Sequence, residues 1–255
     1  MLHGLTNGID FAVVSVMLFF TFFLGLIFYL RREDRREGYP LEEDSSGRVR
    51  TSGGFLFTAL PKTFHMPDGS DVTVPNGNRD TRAIAARRLS VVPGSPSVPT
   101  GNPLIDGVGP AAYAERARVP DMTVHGQNKI VPMRVATDFK IAKGDPDPRG
   151  WNVVGTDGKV AGTVKDIWVD RPEAMIRYFE VALSNGSIVL TPMTMSKVHK
   201  GHRHIFVDAI TAAQFADVPK LSSADQVTFY EEERVTAYYG GGFLYATAAR
   251  SEPIL

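Results

Sequence analysis

The sequence predicts one N-terminal transmembrane α-helix followed by a mainly β domain, a small closed barrel carrying a short C-terminal helix. Three observations carry this expectation. Residues 11–30, FAVVSVMLFFTFFLGLIFYL, form an unbroken apolar run without a charge. Proline and glycine recur through residues 31–120, too often for helix interiors or central strands. Beyond residue 121, short apolar runs alternate with Asp-Gly and Asn-Gly turns, the pattern of small all-β units.

The span comes first. A helix rises about 1.5 Å per residue, so roughly 20 apolar residues match a hydrocarbon core about 30 Å thick. No polar stripe breaks the run, so a soluble core helix does not fit. A cleaved signal peptide would need a basic leading region, a shorter apolar stretch and a small-residue cleavage site. Residues 1–10, MLHGLTNGID, hold no Lys or Arg, whereas Arg31, Arg32, Arg35 and Arg36 follow the span. Basic residues mark the cytoplasmic side. The expectation is a single-pass membrane protein with residues 1–10 outside, residues 11–30 spanning and the bulk cytoplasmic. The four arginines are then placed to hold anionic lipid headgroups.

Residues 31–120 are read as an extended strap. A disordered linker is the competing reading. Phe55, Leu56, Phe57, Phe64, Ile84, Leu89, Leu104, Ile105 and Tyr113 recur along it, and disordered linkers usually lack such residues. A strap of this kind needs a second protein to lie on. Residues 121–255 form the expected cytoplasmic barrel domain. Strands are expected at 130–135, 159–170 with a bend at Gly162, 178–183, 188–193 and 205–208. Residues 184–187, Ser-Asn-Gly-Ser, make a hairpin turn. A short helical turn is expected at 211–216. A longer helix, 223–239, is expected to be capped by Ser222 or Ser223 and ended by Gly240-Gly241-Gly242.

Composition excludes several chemistries. The 28 basic residues balance 28 acidic ones, so the chain has no charge bias toward nucleic acid. It has no cysteine, which removes disulfides, thiolate zinc sites, iron–sulfur clusters and cysteine nucleophiles. No nucleophile elbow, phosphate loop or zinc-protease motif is present, and no enzyme activity is expected. His199, His202 and His204 are the densest histidine group. Imidazole is a common zinc ligand. Lys200 and Arg203 interleave them and no carboxylate sits nearby until Asp208, which favours a polar hairpin tip over a metal centre.

Particular segments carry a family resemblance. They are YLRREDRREGYPLE at 29–42, PTGNP at 99–103, GVGPAA at 107–112, GTVKDIWVD at 162–170 and GGGFLYA at 240–246. With the transmembrane start, they resemble the H subunits of the photosynthetic reaction centres of purple bacteria, over essentially the whole chain. The barrel region resembles the PRC-barrel module.

The resemblance implies a subunit that binds no pigment or quinone itself. It would cap the L and M subunits on the cytoplasmic side, and those subunits would hold bacteriochlorophyll, bacteriopheophytin, quinones and non-haem iron. Light-harvesting antenna and cytochrome subunits are further partners it implies. It also implies help in delivering protons to the secondary quinone, with Glu173 near the quinone site, Arg177 in the same electrostatic cluster and His125 at the surface where protons are taken up. Asp121 and Glu231 join the wider acidic network. A second surface histidine of the family is Gln127 here and a nearby aspartate is Thr123, so the resemblance leaves open whether the surface metal site of some members is kept. Without the resemblance, Glu173 and Arg177 read as a surface ion pair, which contributes little to stability, and the chain as a membrane-anchored barrel adaptor for a soluble partner.

Overall fold

The computed structural model describes residues 10–39, 41–43, 46, 48–50, 58–66, 69–78 and 80–251. Residues 1–9, expected outside, the turn-forming Ser52-Gly53-Gly54 of the strap with Phe55, Leu56 and Phe57, and the tail 252–255 lie outside the described residues. The chain divides into two compact units, Met1–Arg82 with Ser90–Pro96, and Ala83–Leu89 with Ser97–Leu255.

The first unit opens with helix α1, Phe11–Glu33. Its 23 residues extend about 35 Å at 1.5 Å each. Asp10 caps it, its Oδ1 accepting from Ala12 N at 2.9 Å. The two aliphatic hydroxyls inside the apolar run turn back on the helix, Ser15 to Phe11 O at 2.7 Å and Thr21 to Met17 O at 2.8 Å. Neither donor is left unsatisfied. No residue of α1 is buried. Among the described residues it is the one helix long and apolar enough to cross a membrane.

Two small hairpins follow, β1 (Leu41–Glu42) with β2 (Val49–Arg50) and β3 (Lys62–His65) with β4 (Asp71–Val74). Every residue of β3 is exposed. Of the four juxtamembrane arginines, Arg36 is turned inward. It donates to Glu33 at 2.7 Å, to Leu60 O at 2.5 Å and to Val74 O at 3.1 Å. Arg36 is thus largely committed to pinning the chain that follows α1. Arg31 remains exposed beside Asp34.

The second unit is a mixed sheet with a helix on it. Its first pieces are a β5–β6 pair (Ala86–Arg88 and Ser97–Pro99) and the one-turn helix α2, Pro103–Asp106. The main sheet contains β7 (Ile130–Pro132), β8 (Asn152–Val154), β9 (Val160–Asp170), β10 (Met175–Leu183), β11 (Ile188–Pro192), β12 (Lys197–His199) and β13 (His204–Phe206). Its order is β11-β10-β9-β8-β13-β12, with β7 also on β9, and β8–β13 is the parallel pair. The long β9 serves two partners on one side, pairing β8 through its first half and β7 through its last three residues. The expected bend is there: the β8–β9 register slips beside Gly162. A β-carbon on Gly162 would stand 2.3 Å from Ala182 O, so only glycine fits.

The closed barrel is not found. Among the described residues no ladder joins β11 to β12, and the pairings form an open path. A 3-10 turn at Met193–Met195 carries the chain between them, and helix α3, Phe229–Tyr245, lies against this region instead. Its Tyr239 hydroxyl meets Thr191 Oγ1 at 2.9 Å, both buried.

Helix α3 departs from expectation at both ends. Thr228, not Ser222 or Ser223, is its N-cap, and Thr228 with Glu231 completes a capping box. The three glycines lie inside the helix rather than ending it. At Gly241 and Gly242 the role is close approach. A β-carbon on Gly241 would come within 2.5 Å of Ala111 Cβ, and one on Gly242 within 2.2 Å of Ala209 O. The helical turn expected at 211–216 is a 3-10 helix at Ala213–Asp217. Trp168, Tyr239, Phe179, Phe215, Ile167 and Leu190 anchor the core. Burying each such side chain contributes about 1.5–3 kcal/mol.

Candidate functional site

The site forms where β7, β9 and β10 meet the start of α3. Register sets it up. Ile130 lies opposite Asp170, so Lys129, one residue earlier, falls beside the end of β9. Arg171 N donates to Lys129 O at 3.0 Å and Lys129 N to Asp121 O at 2.8 Å. The turn after β9 is closed by Asp170, whose Oδ1 accepts from Glu173 N at 3.2 Å.

These constraints gather three carboxylates around one ammonium. Lys129 Nζ lies 3.5 Å from Asp121, 3.6 Å from Glu173 and 3.7 Å from Asp170. The carboxylates differ sharply in exposure. The Glu173 side chain is 51% exposed, that of Asp121 34% and that of Asp170 1%. Oδ2 of Asp170 accepts no hydrogen bond among the described residues, and Lys129 is its counter-charge. Partial burial pulls the Lys129 ammonium down, but the charges of Asp170, Asp121 and Glu173 outweigh it and hold the pKa above the usual lysine value. Lys129 therefore stays charged through neutral pH.

A second pair lines the same cleft, which encloses about 280 Å³. Arg177 Nη2 lies 3.7 Å from Glu232 Oε1, and the Tyr178 hydroxyl donates to that oxygen at 2.7 Å. Burial, reinforced by the Glu232 charge, pushes the Tyr178 hydroxyl far above its ordinary value, so it remains a donor.

The residues singled out from sequence fall as follows. Glu173, Asp121 and Arg177 all border this cluster. Glu173 and Arg177 are not each other's ion-pair partners: Glu173 faces Lys129 and Arg177 faces Glu232. Glu231 points away from the cleft. Its carboxylate accepts from Thr228 N and Oγ1 at 2.9 Å, and from Ser222 N at 2.6 Å and Oγ at 2.7 Å. It holds the helix start, and the neighbouring Glu232 is the one that faces the cleft.

His125 is exposed on the 123–127 turn and shares a shallow pocket with Asp138, Arg171 and Gln127. Gln127 Oε1 accepts from Arg171 at 3.5 Å, and Thr123 Oγ1 accepts from the His125 and Gln127 amides. Both departures from the family pattern are thus engaged in the turn. Lys129, Asp170 and Glu232 were not singled out from sequence. Asp170 ends an apolar strand and Lys129 precedes one, which is the available signal, but only the β7–β9 pairing joins them.

A second buried polar constellation sits within the sheet. Glu180, 2% exposed, accepts from Arg134 at 2.7 Å and Trp168 Nε1 at 2.9 Å, with Lys165 Nζ at 3.3 Å. Arg134 also reaches Asp166 at 3.1 Å, Asp225, and the Ala224 carbonyl.

Two family matches cover most of the chain. Residues 3–135 match the photosynthetic reaction centre, H-chain N-terminal region, and residues 140–214 match the PRC-barrel domain.

Proposed function

The chain belongs to the photosynthetic reaction-centre H-chain family, and from that premise we propose that it caps the L and M subunits on the cytoplasmic side and conducts protons toward the secondary quinone they hold. Membership carries the general role, association with the other subunits of a reaction centre. The finer reading rests on one observation. A fully buried carboxylate, Asp170, is tied through Lys129 to two carboxylates that reach solvent.

Such a ladder suits proton transfer. Glu173 and Asp121 exchange protons with water. Asp170 stands inward with a free oxygen lone pair. Lys129 holds all three within reach of one fixed charge, so a proton arriving at one carboxylate changes the field at the others. Arg177 and Glu232 set the charge on the far wall of the cleft. His125 supplies an exposed imidazole that exchanges protons with the cytoplasm. In this reading α1 spans the inner membrane with its N-terminus periplasmic, residues 31–120 strap the partner subunits, residues 121–255 form the cytoplasmic PRC-barrel domain, and Arg31, Arg32 and Arg35 meet lipid headgroups. Antenna and cytochrome subunits complete the assembly.

Flash kinetics on the purified complex test the proton path. Glu173→Gln keeps the shape and removes the titrating group. It should slow the proton-coupled second electron transfer roughly tenfold, less than the about 10²–10⁴-fold typical of a lone general acid, because Asp121 offers a parallel route. The first charge separation should be unchanged. A wild-type second rate at neutral and alkaline pH would remove Glu173 from the path. For orientation, a C-terminal reporter active only in the periplasm would overturn the assigned topology.

A further inference from the structure

We propose that His199, His202 and His204 form a binding site for one divalent transition-metal ion of the zinc class at the tip of the β12–β13 hairpin. Three of the chain's six histidines fall within these six residues. The fold brings them together in a way that strand alternation alone does not. His199 and His204 are directly opposed across the antiparallel β12–β13 pair. Opposed residues place their β-carbons about 4.5–5.5 Å apart on one face, and the two ring centres stand 4.8 Å apart. His202 comes from the 3-10 turn between the strands. Arg203 then adopts a left-handed conformation, φ 50°, which side chains seldom take. The chain turns back there, and the His202 ring lies 5.8 Å from that of His204.

These spacings suit a shared ion. Zinc–nitrogen bonds of about 2.0–2.1 Å in a tetrahedron put the centres of two imidazole ligands roughly 5 Å apart. The rings now lie 26° and 31° from parallel, and no three donors converge on one point among the described residues. Loading therefore turns rings, and the exposed His199 and His202 are free of the core. His204 is the fixed member. It is half-buried, and the parallel ladder to Asn152 and the fully buried Ile205 hold its backbone. Three imidazoles leave a fourth position open to water.

The donor atoms decide which ion enters. Lys200 Nζ reaches toward the Gly144 carbonyl at 3.4 Å, and the Arg203 guanidinium lies 6.0 Å over the Trp151 ring. Both cations are drawn aside from the imidazoles, and the all-nitrogen donor set excludes calcium and magnesium, which require oxygen ligands. Zinc, nickel and copper, which bind imidazole well, remain.

Calorimetric titration of the full chain in detergent with zinc chloride tests this. One ion per chain should bind saturably, and a hundredfold excess of calcium should not displace it. His204→Ala should weaken binding by at least the roughly tenfold that losing even an outer-shell partner costs. The triple variant His199→Ala, His202→Ala, His204→Ala should abolish the one-to-one phase. Because the tip is exposed, its thermal midpoint should match the parent. His65→Ala with His125→Ala should leave zinc affinity within twofold. Saturable binding that survives the triple variant, binding lost in the double variant, or no saturable phase in the parent would each overturn the site.

Discussion

Helices α1 and α3 have similar beginnings and opposite surroundings. Each is capped by a side chain, Asp10 in one and Thr228 in the other. Yet α1 buries none of its 23 residues, while the shorter α3 buries six, two of them glycine. The chain supplies every surface that α3 packs on. Among the described residues nothing buries α1, whose exposed face is phenylalanine, leucine and valine. In the reading proposed above, lipid and the pigment-bearing subunits complete it. The same contrast runs through the rest of each unit. Strand β3 is exposed throughout, whereas β9 and β10 hold Ile167, Trp168 and Phe179 almost wholly out of water.

The strongest test of that difference is one substitution made in each helix. At Gly242 a β-carbon would sit 2.2 Å from Ala209 O and 2.6 Å from the Ile210 side chain, while at Gly25 nothing lies within 4 Å. Gly242→Val should destabilise the second unit by about 3 kcal/mol or more, since the clash is with backbone and cannot be relieved by a rotamer change. Gly25→Val should leave its unfolding midpoint unchanged. Chemical denaturation followed by tryptophan fluorescence reads both, because Trp151 and Trp168 belong to the second unit. Equal effects would dissolve the distinction between the two helices.

A charge reverses the order of sensitivity. Phe20→Arg puts a guanidinium in the middle of α1, where insertion costs about 2.5–3.5 kcal/mol. Membrane association should fall sharply in fractionation, while the same denaturation midpoint stays put. Loss of the folded sheet in this variant would mean that the second unit depends on α1.

The sequence was most legible where one local pattern determines the outcome. An apolar run of membrane length has few other readings, and Ser184-Asn185-Gly186-Ser187 turns as expected, with Gly186 at φ 81°. It was least legible where the decisive neighbour lies far along the chain. Gly240-Gly241-Gly242 reads as a helix end until Ala111 and Ala209, over 30 residues away at the nearest, are seen to need the space. Asp170 reads as the end of a strand until Lys129 is brought beside it by β7. Ser222 and Ser223 both fit a cap by residue type, but Thr228 alone has Glu231 three residues on, and Ser222 instead donates to that carboxylate. The expected barrel failed for a related reason: the sequence pattern showed five strands of a sheet that has seven, passing over the short β8 and β12, and it does not say whether the sheet closes.

The smallest expected effect concerns that helix cap, and it separates α3 from α1 by pH. The cap of α1 is a single hydrogen bond to Asp10. The α3 cap passes through Glu231, which four hydrogen bonds hold as a carboxylate. Burial works to raise the Glu231 pKa, but the amides and hydroxyls of Ser222 and Thr228 together bring it below its ordinary 4.5. A carboxyl depressed in the folded state contributes stability above its unfolded pKa and loses it as pH falls through the folded one. Glu231→Gln cannot ionise and should cost about 1 kcal/mol at pH 7, the usual worth of a cap. As the pH drops below 4.5 and through the lower folded-state pKa the parent loses its advantage, so the two unfolding midpoints should converge in acid. A gap that stays constant from pH 7 to pH 3 would show that Glu231 acts at the helix start through shape alone, and that its charge contributes nothing to holding α3 on the sheet.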